Sequence, residues 1–279
     1  MLIATWNVNS IRTRIEQVKN WLNQTQTDVL CVQETKVEDS LFPLQELEND
    51  GYSIAFYGQK AYNGVAIISR LPMDDIRFGF SGELSKEISI KEMDHQKRII
   101  SCLVEGIRIV NVYVPNGSSL SSPKFEYKLK WLNHLKDYLK AQSVRDEPIC
   151  LLGDFNIALE DRDIHDPERF KDGIMATNQE REALKKILGN KLNDVFRVFE
   201  QDSNHWSWWD YRSGGWQRDS GWRIDHIYLN EELMNRTTSC SIHKAVRGNI
   251  KPSDHAPVSL DIDWPFEEEL ELSSNELFF

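Results

Sequence analysis

The chain of 279 residues is 40% hydrophobic and 28% charged, which is ordinary for a globular protein with one large domain or two small ones. No apolar run approaches the roughly 20 residues that cross a bilayer, which excludes a membrane-spanning protein. No basic segment precedes the apolar start as it does in a signal peptide, so we expect a cytoplasmic protein. The formal net charge of −11 gives no support to a nucleic-acid partner, because phosphate binding favours Lys and Arg.

Short runs rich in Ile and Val, bounded by turn residues, recur along the chain and predict β-strands. These runs cover residues 2–8, 28–35, 52–57, 64–69, 98–105, 107–114, 149–156, 223–230 and 256–263. Between them, leucines at helical spacing predict a helix over residues 123–142. Thr177 and Glu180 form a capping box that predicts a second helix start, and Gly189 can end that helix.

The mixed order of strands and helices predicts an α/β (α+β) fold with two packed mixed β-sheets flanked by helices. Because no repeat or linker interrupts the chain, we expect one catalytic domain over residues 1–264 and an acidic tail over residues 265–279. The tail holds five glutamates, and without them the net charge would be −6. We expect a flexible, solvating tail; the alternative is a docking motif for a partner such as a replication clamp.

The cysteines indicate a reducing compartment. None of the four forms a CxxC pair, and three lie inside apolar runs; they are Cys31, Cys102, Cys150 and Cys240. This pattern predicts small buried side chains rather than a zinc site or a disulfide framework.

Polar side chains suited to metal and phosphate chemistry lie at the ends of the predicted strands, where a rigid scaffold can hold functional groups at its rim. They are Asn7, Asn9, Glu34, Tyr113, Asp154, Asn156, Asp225, Asp254 and His255. Each of them alone is most simply a turn former or a helix cap. Together they fit Mg²⁺, which takes oxygen ligands and needs only one or two carboxylates beside water and substrate phosphate.

The same residues can supply proton transfer and phosphate contacts. His255 can act as a general acid or base near neutral pH if a carboxylate fixes its tautomer, and Asp225 is the natural candidate. An asparagine amide can donate to a phosphate oxygen as charge builds on it. No serine elbow, P-loop or GxGxxG motif offers a competing chemistry.

With these residues in place, the chain resembles the exonuclease III family of abasic-site endonucleases, within the endonuclease/exonuclease/phosphatase superfamily. The matching stretches are collinear over residues 2 to about 263, and QET, GDFN and SDHAP are shared across the superfamily. The stretches closer to the DNA repair branch are KFEYK (124–128), WSWWDYR (206–212) and WRIDHI (222–227). Ser10 stands where the family often has Gly, at a turn where Gly is easiest.

The resemblance implies a four-layer α/β sandwich that uses Mg²⁺, with Mn²⁺ as an alternative. It implies cleavage of double-stranded DNA 5′ to abasic sites, which leaves a 3′-hydroxyl and a 5′-deoxyribose phosphate. It further implies trimming of 3′ blocked ends or 3′ to 5′ exonuclease activity. The implied metal site consists of Asn7, Glu34, Asp154, Asn156, Asp254 and His255.

The resemblance also implies individual roles. Glu34 would be the principal metal ligand, and Asp154 would activate the attacking water or protonate the leaving oxygen. Asn156 would hold the transition-state phosphate, and His255, oriented by Asp225, would contact that phosphate. In addition, Tyr113 would contact the phosphate or assist as an acid. The implied substrate contacts are Lys36, Arg98, Asn116, Trp208 and Trp209.

The two tryptophans among these contacts are candidates for walls of a pocket that receives a flipped-out sugar, whereas Trp206 fits core packing better. We expect a monomer with no membrane contact. Two alternatives stay open: a phosphoinositide phosphatase or sphingomyelinase on the same scaffold, which the acidic charge also fits, and a non-catalytic DNA-binding protein. The sequence leaves open the ratio of endonuclease to exonuclease activity, the number of metals and the range of lesions.

Overall fold

The computed structural model describes residues 1–84, 88–145 and 147–264, and the predicted acidic tail lies outside them. One six-stranded sheet has the order β11-β12-β1-β2-β4-β3. Its strands are β1 (Leu2–Asn7), β2 (Val29–Gln33), β3 (Ser53–Tyr57), β4 (Val65–Ser69), β11 (Thr237–Ile242) and β12 (Val258–Ile262). The second sheet has the order β5-β6-β7-β8-β10-β9. Its strands are β5 (Asp74–Phe78), β6 (Ile99–Val104), β7 (Ile107–Tyr113), β8 (Ile149–Asp154), β9 (Asn193–Asp194) and β10 (Asp225–Leu229).

Seven α-helices connect these strands in the part of the chain that the structure describes. They are α1 (Ile11–Thr25), α2 (Leu44–Glu48), α3 (Ile88–Asp94), α4 (Pro123–Gln142), α5 (Asn178–Leu188), α6 (Val195–Phe199) and α7 (Glu231–Met234). The bounds of α4 match the prediction. The capping box of α5 is present in both directions between Thr177 and Glu180, and Gly189 ends the helix. None of the helices in these ranges has the length and apolarity that a bilayer-spanning segment requires.

Three apolar layers hold the fold together. The inner faces of the two sheets form the central core, which contains Cys31, Cys102, Cys150 and Cys240. α1 covers the outer face of the first sheet, and α4 and α5 cover the outer face of the second. The predicted four-layer sandwich is therefore confirmed, and all four cysteines are buried free thiols as expected.

The chain direction brings many strand ends to one rim of the sandwich. β1 runs parallel to β2, with α1 between them in the chain, and β7 runs parallel to β8, with α4 between them. The carboxyl ends of parallel strands meet at one edge of each sheet. That edge therefore gathers the residues that close β1, β2, β7 and β8.

A buried hydrogen-bond network ties the two sheets together just below this rim. Nε2 of Gln33 donates to Oδ1 of Asn111 in the other sheet at 2.7 Å and to Oγ1 of Thr5 at 2.9 Å. Nδ2 of Asn111 donates back to the carbonyls of Val32 and Ala66. Buried polar groups that satisfy one another fix a single arrangement of the layers, so this network sets the separation of the strand ends.

Sequence reasoning missed α1, the strands β5, β9 and β11, and the four short helices α2, α3, α6 and α7. Only four residues of α1 are buried, namely Ile11, Val18, Trp21 and Leu22, so its apolar stripe is narrow. The strands β5 and β11 expose most of their side chains, which removes the apolar run that predicts a strand.

A backbone contact at Gly153 yields a stability prediction. Gly153 has φ +148°, and a Cβ there would lie 1.9 Å from the carbonyl oxygen of Val112 on β7. We expect Gly153→Ala to lower the free energy of unfolding by about 2 kcal/mol or more, since the backbone of β8 would have to shift. Urea denaturation measures this change. The matched control is Gly106→Ala in the β6–β7 turn, where φ is +76° and the added Cβ would meet no described atom within 4 Å. The control should cost about 1 kcal/mol, and equal losses in the two variants would contradict the prediction.

Candidate active site

The amide of Asn7 lies at the centre of the rim. Its Nδ2 donates to Oε1 of Glu34 at 3.0 Å and to Oδ2 of Asp154 at 2.9 Å. Glu34 directly follows β2 in the first sheet, whereas Asp154 ends β8 in the second sheet. One amide group therefore brings together carboxylates from both sheets.

Two further residues bind the Glu34 carboxylate. The hydroxyl of Tyr113 donates to Oε1 at 2.7 Å, and Nζ of Lys36 lies 2.7 Å from Oε2. Burial raises the pKa of Glu34, but Lys36 and the hydrogen bonds from Asn7 and Tyr113 outweigh this effect and lower it. The carboxylate therefore stays charged at neutral pH. The pKa of Tyr113 lies well above its ordinary value because of burial and the nearby Glu34, so the phenol keeps its proton.

The Asp154 carboxylate is buried and has hydrogen bonds on both oxygens. The backbone N–H of Asn156 donates to Oδ1 at 2.9 Å, while Asn7 donates to Oδ2. Burial is the main cause that raises the pKa of Asp154 to about 7, and the charges of Asp225 and Glu34 add to it, whereas His255 lowers it. A carboxyl group with this pKa can take or give a proton near neutral pH.

His255 and Asp225 form a buried pair against Asp154. Nδ1 of His255 lies 2.8 Å from Oδ2 of Asp225, and Nε2 lies 3.8 Å from Oδ2 of Asp154. Ser207, which sequence reasoning missed, donates its hydroxyl to Oδ2 of Asp225 at 2.6 Å. Burial lowers the pKa of His255, but Asp225 and Asp154 raise it to about 10, so the ring is a cation at neutral pH.

Asp254 lies on the other side of the rim, between Asn9 and Trp208. Nδ2 of Asn9 donates to Oδ1 of Asp254 at 2.8 Å, and the indole N–H of Trp208 donates to Oδ2 at 3.0 Å. Nζ of Lys36 also reaches Oδ1 of Asn9 at 2.6 Å. Asn9 thus links the Asp254 side of the site to the Glu34 side, a role that sequence reasoning left unassigned.

The backbone is strained where these side chains converge. Non-glycine residues with positive φ include Asn9 (44°), Ser10 (91°), Glu34 (53°) and Asn156 (49°). Strain of this kind costs free energy and collects at functional sites. The value at Ser10 agrees with the expectation of a turn that suits Gly.

The predicted substrate contacts fall into two groups. Lys36 and Asn116 lie at the site, and Nδ2 of Asn116 donates to Oδ1 of Asn156 at 3.0 Å. Arg98 lies over the ring of Tyr113 at 4.5 Å and donates to its carbonyl oxygen at 3.2 Å, so it borders the site from behind Tyr113.

Trp208 and Trp209 lie in different surroundings. The ring of Trp208 faces His255 at 6.4 Å and Trp222 at 6.5 Å, beside a cluster that includes Ile224. Trp209 is fully buried, and its indole N–H donates to Asp219. Trp209 therefore has no exposed surface to offer a substrate, whereas Trp208 is only partly buried, and Trp222, which packs on Trp208, is buried. Trp206 is buried as expected.

The donor set fits a divalent cation. Carboxylate and amide oxygens are the ligands that hard cations prefer, and the acidic oxygens of Glu34 and Asp154 lie within hydrogen-bond reach of one amide. Asp154, Asp225 and His255 also offer atoms within 4.8 Å of one another. Since Nδ1 of His255 already contacts Asp225, that triad is better suited to proton transfer. The Glu34 side is the better place for a metal, with Asn7 and Asp254 nearby.

The fold and this set of groups define a metal-dependent phosphoester hydrolase. The sequence pattern of the Endonuclease/Exonuclease/phosphatase family matches residues 4–255, and the chain belongs to this family.

Known relatives place the chain in one branch of the family. An exodeoxyribonuclease III from Haemophilus influenzae is 33% identical, over 92% of this chain and 98% of that relative. The structure of a 3′ phosphatase from Neisseria bound to a product DNA hairpin is 38% identical, with a TM-score of 0.89, over 95% of this chain and 100% of that one. An AP endonuclease from Archaeoglobus fulgidus is also 38% identical, with a TM-score of 0.88, over 94% of this chain and 99% of that one. The chain is thus a nuclease of the exodeoxyribonuclease III and AP endonuclease type, and its function lies in DNA repair.

The pair of His255 and Asp225 yields a prediction on pH dependence. The positive charge of the His255 ring, which stabilises phosphate, is lost as the pH rises through the pKa of the ring, which is about 10. Asp225→Asn removes the largest influence that raises this pKa, so the alkaline fall of kcat/KM should move down by about one to three pH units. A pH profile of kcat/KM for phosphodiester cleavage measures the shift. Ser207→Ala removes a hydrogen bond to Asp225 but keeps the charge, so its profile should move little. A variant Asp225→Asn with an unchanged alkaline limb would contradict the assignment.

Proposed function

We propose that the chain hydrolyses the backbone of double-stranded DNA 5′ to abasic sites and leaves a 3′-hydroxyl and a 5′-deoxyribose phosphate. The observation that carries the proposal is the meeting of three groups at Asp154. Asn7 donates to Oδ2, the Asn156 N–H donates to Oδ1, and Nε2 of His255 lies 3.8 Å from Oδ2. A proton acceptor, an amide donor and a fixed cation are what in-line attack of water on phosphorus needs.

We propose Mg²⁺ as the cofactor, with Mn²⁺ as a substitute, held by Glu34 together with Asn7 and Asp254. When bound, the cation would polarise a phosphoryl oxygen and stabilise the leaving oxygen. Lys36 supplies positive charge at Oε2 of Glu34 and limits repulsion between the acidic groups. The choice of Mg²⁺ rests on the oxygen-only donors of this side of the site.

The chain's own residues divide the remaining work. Asp154 takes the proton of the attacking water while Asn7 and Asn156 hold both of its oxygens. Nδ2 of Asn156 carries two hydrogens and gives one to the carbonyl of Val114, so the other can donate to a phosphate oxygen. His255 directs its Nε2–H at the charge that develops on the phosphate. The bond between phosphorus and the 3′ oxygen breaks, that oxygen takes a proton from water to become the 3′-hydroxyl, and Asp154 returns its proton to solvent.

An apolar cluster beside the site supports an abasic substrate. Trp208 is partly buried and packs on Trp222, with buried Ile224 and Met175 in the same cluster. An abasic sugar has no base to unstack, so moving it out of the helix costs less than flipping an intact nucleotide. The same chemistry at a 3′ end would remove a blocking phosphate or a nucleotide. The 3′ phosphatase from Neisseria and the Archaeoglobus AP endonuclease, at equal identity, support both reactions.

We further propose that the protein acts as a cytoplasmic monomer without membrane contact. The proposed location rests on the four free, buried cysteines, which suit a reducing compartment. The acidic tail over residues 265–279 lies outside the described residues, and a clamp-type partner for it stays a hypothesis. Deletion of the tail should leave DNA cleavage unchanged if it serves only docking.

Cleavage of a labelled duplex with one abasic-site analogue tests the function. The wild type with Mg²⁺ should make a single cut 5′ to the lesion, and EDTA should abolish it. Asp154→Asn removes the proton acceptor and should lower kcat by about 10²-fold to 10⁴-fold. Products are resolved on a denaturing gel beside an undamaged duplex, on which a ladder would reveal exonuclease activity.

The matched control is Asp161→Asn, a nearby acid after β8 whose side chain is 74% exposed. This variant should cut like the wild type. Cleavage of a soluble inositol phosphate without nicking of the abasic duplex would replace the proposed substrate. Full activity of Asp154→Asn would overturn the proposed chemistry.

A further inference from the structure

A fully buried ion pair lies directly beneath the phosphate side of the site. Nζ of Lys128 in α4 is 2.5 Å from Oε1 of Glu180 in α5, and neither side chain is exposed to solvent. The two helices pack side by side on the second sheet. The pair joins them at the end nearest the site residues.

The ammonium of Lys128 has three hydrogens, and all three have acceptors. Besides Glu180, Nζ donates to the carbonyl of Asn156 at 2.7 Å and to the carbonyl of Asn116 at 3.2 Å. The side chains of Asn116 and Asn156 are hydrogen-bonded to each other at the site. One cation therefore fixes the backbone of two residues whose side-chain amides are hydrogen-bonded to each other at the site, and one of them, Asn156, is held at φ 49°.

Glu180 also holds the loop before α5 close to Asn116 and Asn156. Its Oε1 accepts the N–H of Met175 at 3.1 Å, and its Oε2 accepts both the N–H and the hydroxyl of Thr177, at 3.0 and 2.6 Å. Met175 is itself at positive φ, 69°, and its sulfur lies 3.3 Å from Nδ2 of Asn116. The loop before α5 is thereby placed beside the site by the partner of Lys128.

The main effect of this ion pair is to position the backbone at the site rather than to stabilise the fold. A buried ion pair is often no more stabilising than apolar side chains of the same volume, because both charges lose their water. Burial lowers the pKa of Lys128 and Glu180 opposes this, so the ammonium depends on its partner. Apolar side chains could join the two helices, but they could not donate to the carbonyls of Asn116 and Asn156.

We propose that Lys128 and Glu180 are a positioning pair that sets the amide of Asn156, together with the Asn116 side chain bonded to it, for the transition-state phosphate. Neither residue touches the substrate. The proposal rests on the proposed function, because it concerns the same phosphoryl chemistry. It assigns to the KFEYK stretch, which ends at Lys128, a physical role in the site.

The test compares the single variant Lys128→Met with the double variant Lys128→Met/Glu180→Leu. The double variant leaves no unpaired buried charge and should still unfold cooperatively, at a melting temperature lowered by the loss of the Glu180 bonds to Met175 and Thr177. In both variants kcat for abasic cleavage should fall by about 10²-fold, since a misplacement of about 1 Å at the reacting group can cost that much. KM should change less than about threefold, because the lost contact forms mainly in the transition state. Lys128→Arg keeps a cation and should recover part of kcat.

A matched control separates positioning from stability. Arg108 is equally buried, is the second residue of β7, far from the rim that holds the site, and pairs with Glu147 at 2.9 Å. Arg108→Met should lower the melting temperature and leave kcat unchanged at temperatures where the variant is folded. A folded double variant with wild-type kcat, or a loss confined to KM, would overturn the proposal.

Hydrolysis of bis(p-nitrophenyl) phosphate by the same preparations keeps this proposal separate from the function. A wild type that cleaves this diester but not the abasic duplex would refute the proposed substrate. The effect of Lys128→Met on kcat for the diester would still decide the role of the pair. If the wild type cuts the abasic duplex and the variants behave like Arg108→Met, only the positioning proposal fails.

Discussion

The hydrogen bonds from the Asn7 amide to Glu34 and Asp154 join the two sheets at the point where the chemistry takes place. Each carboxylate is attached to a different sheet, so their separation depends on how the layers pack. The buried contact between Gln33 and Asn111, one layer below, fixes that packing with a 2.7 Å hydrogen bond across the sandwich. The site is therefore a property of the assembled sandwich, and neither sheet alone contains it.

This arrangement concentrates negative charge in a partly buried place. Glu34, Asp154, Asp225 and Asp254 meet within one rim, and burial alone would protonate some of them. Lys36 and the cationic ring of His255 offset part of this charge, and a bound divalent cation would offset more. These four acids count toward the net charge of −11, but the nearby positive charges reduce their repulsion of DNA phosphates. The overall charge is thus a poor guide to the partner of this chain.

The sequence predicted the components of the site better than their mutual contacts. Strand ends are readable because apolar runs stop at them, so Glu34, Asp154 and His255 could be named without a structure. The role of Asn9 and the presence of Ser207 could not be predicted, since their importance lies in hydrogen bonds to Asp254 and Asp225 across long stretches of chain. The roles assigned to these residues stay predictions.

The tryptophan-rich stretch over residues 206–212 also shows that side-chain contacts could not be predicted from the sequence. Neighbouring positions on an extended segment face opposite sides, so Trp208 and Trp209 could not both reach one pocket. The sequence does not say which of them points inward. Trp222 packs on Trp208 because the two residues exchange backbone hydrogen bonds, and that pairing cannot be read from composition.

Elements without an apolar run were missed for a related reason. α1 buries a narrow stripe of its surface, and β11 is an edge strand with only Cys240 buried. Tertiary packing rather than local pattern defines such elements. By contrast, α4 and the capping box of α5 were predicted correctly, because their signals are local.

Hydrolysis of an abasic duplex in water enriched in ¹⁸O, followed by mass spectrometry of both product strands, tests the central claim most directly. Attack of water on phosphorus predicts one ¹⁸O atom in the 5′-deoxyribose phosphate and an unlabelled 3′-hydroxyl on the upstream strand. An unlabelled 5′ product, or a 3′ unsaturated aldehyde formed by elimination on the sugar, would contradict the account.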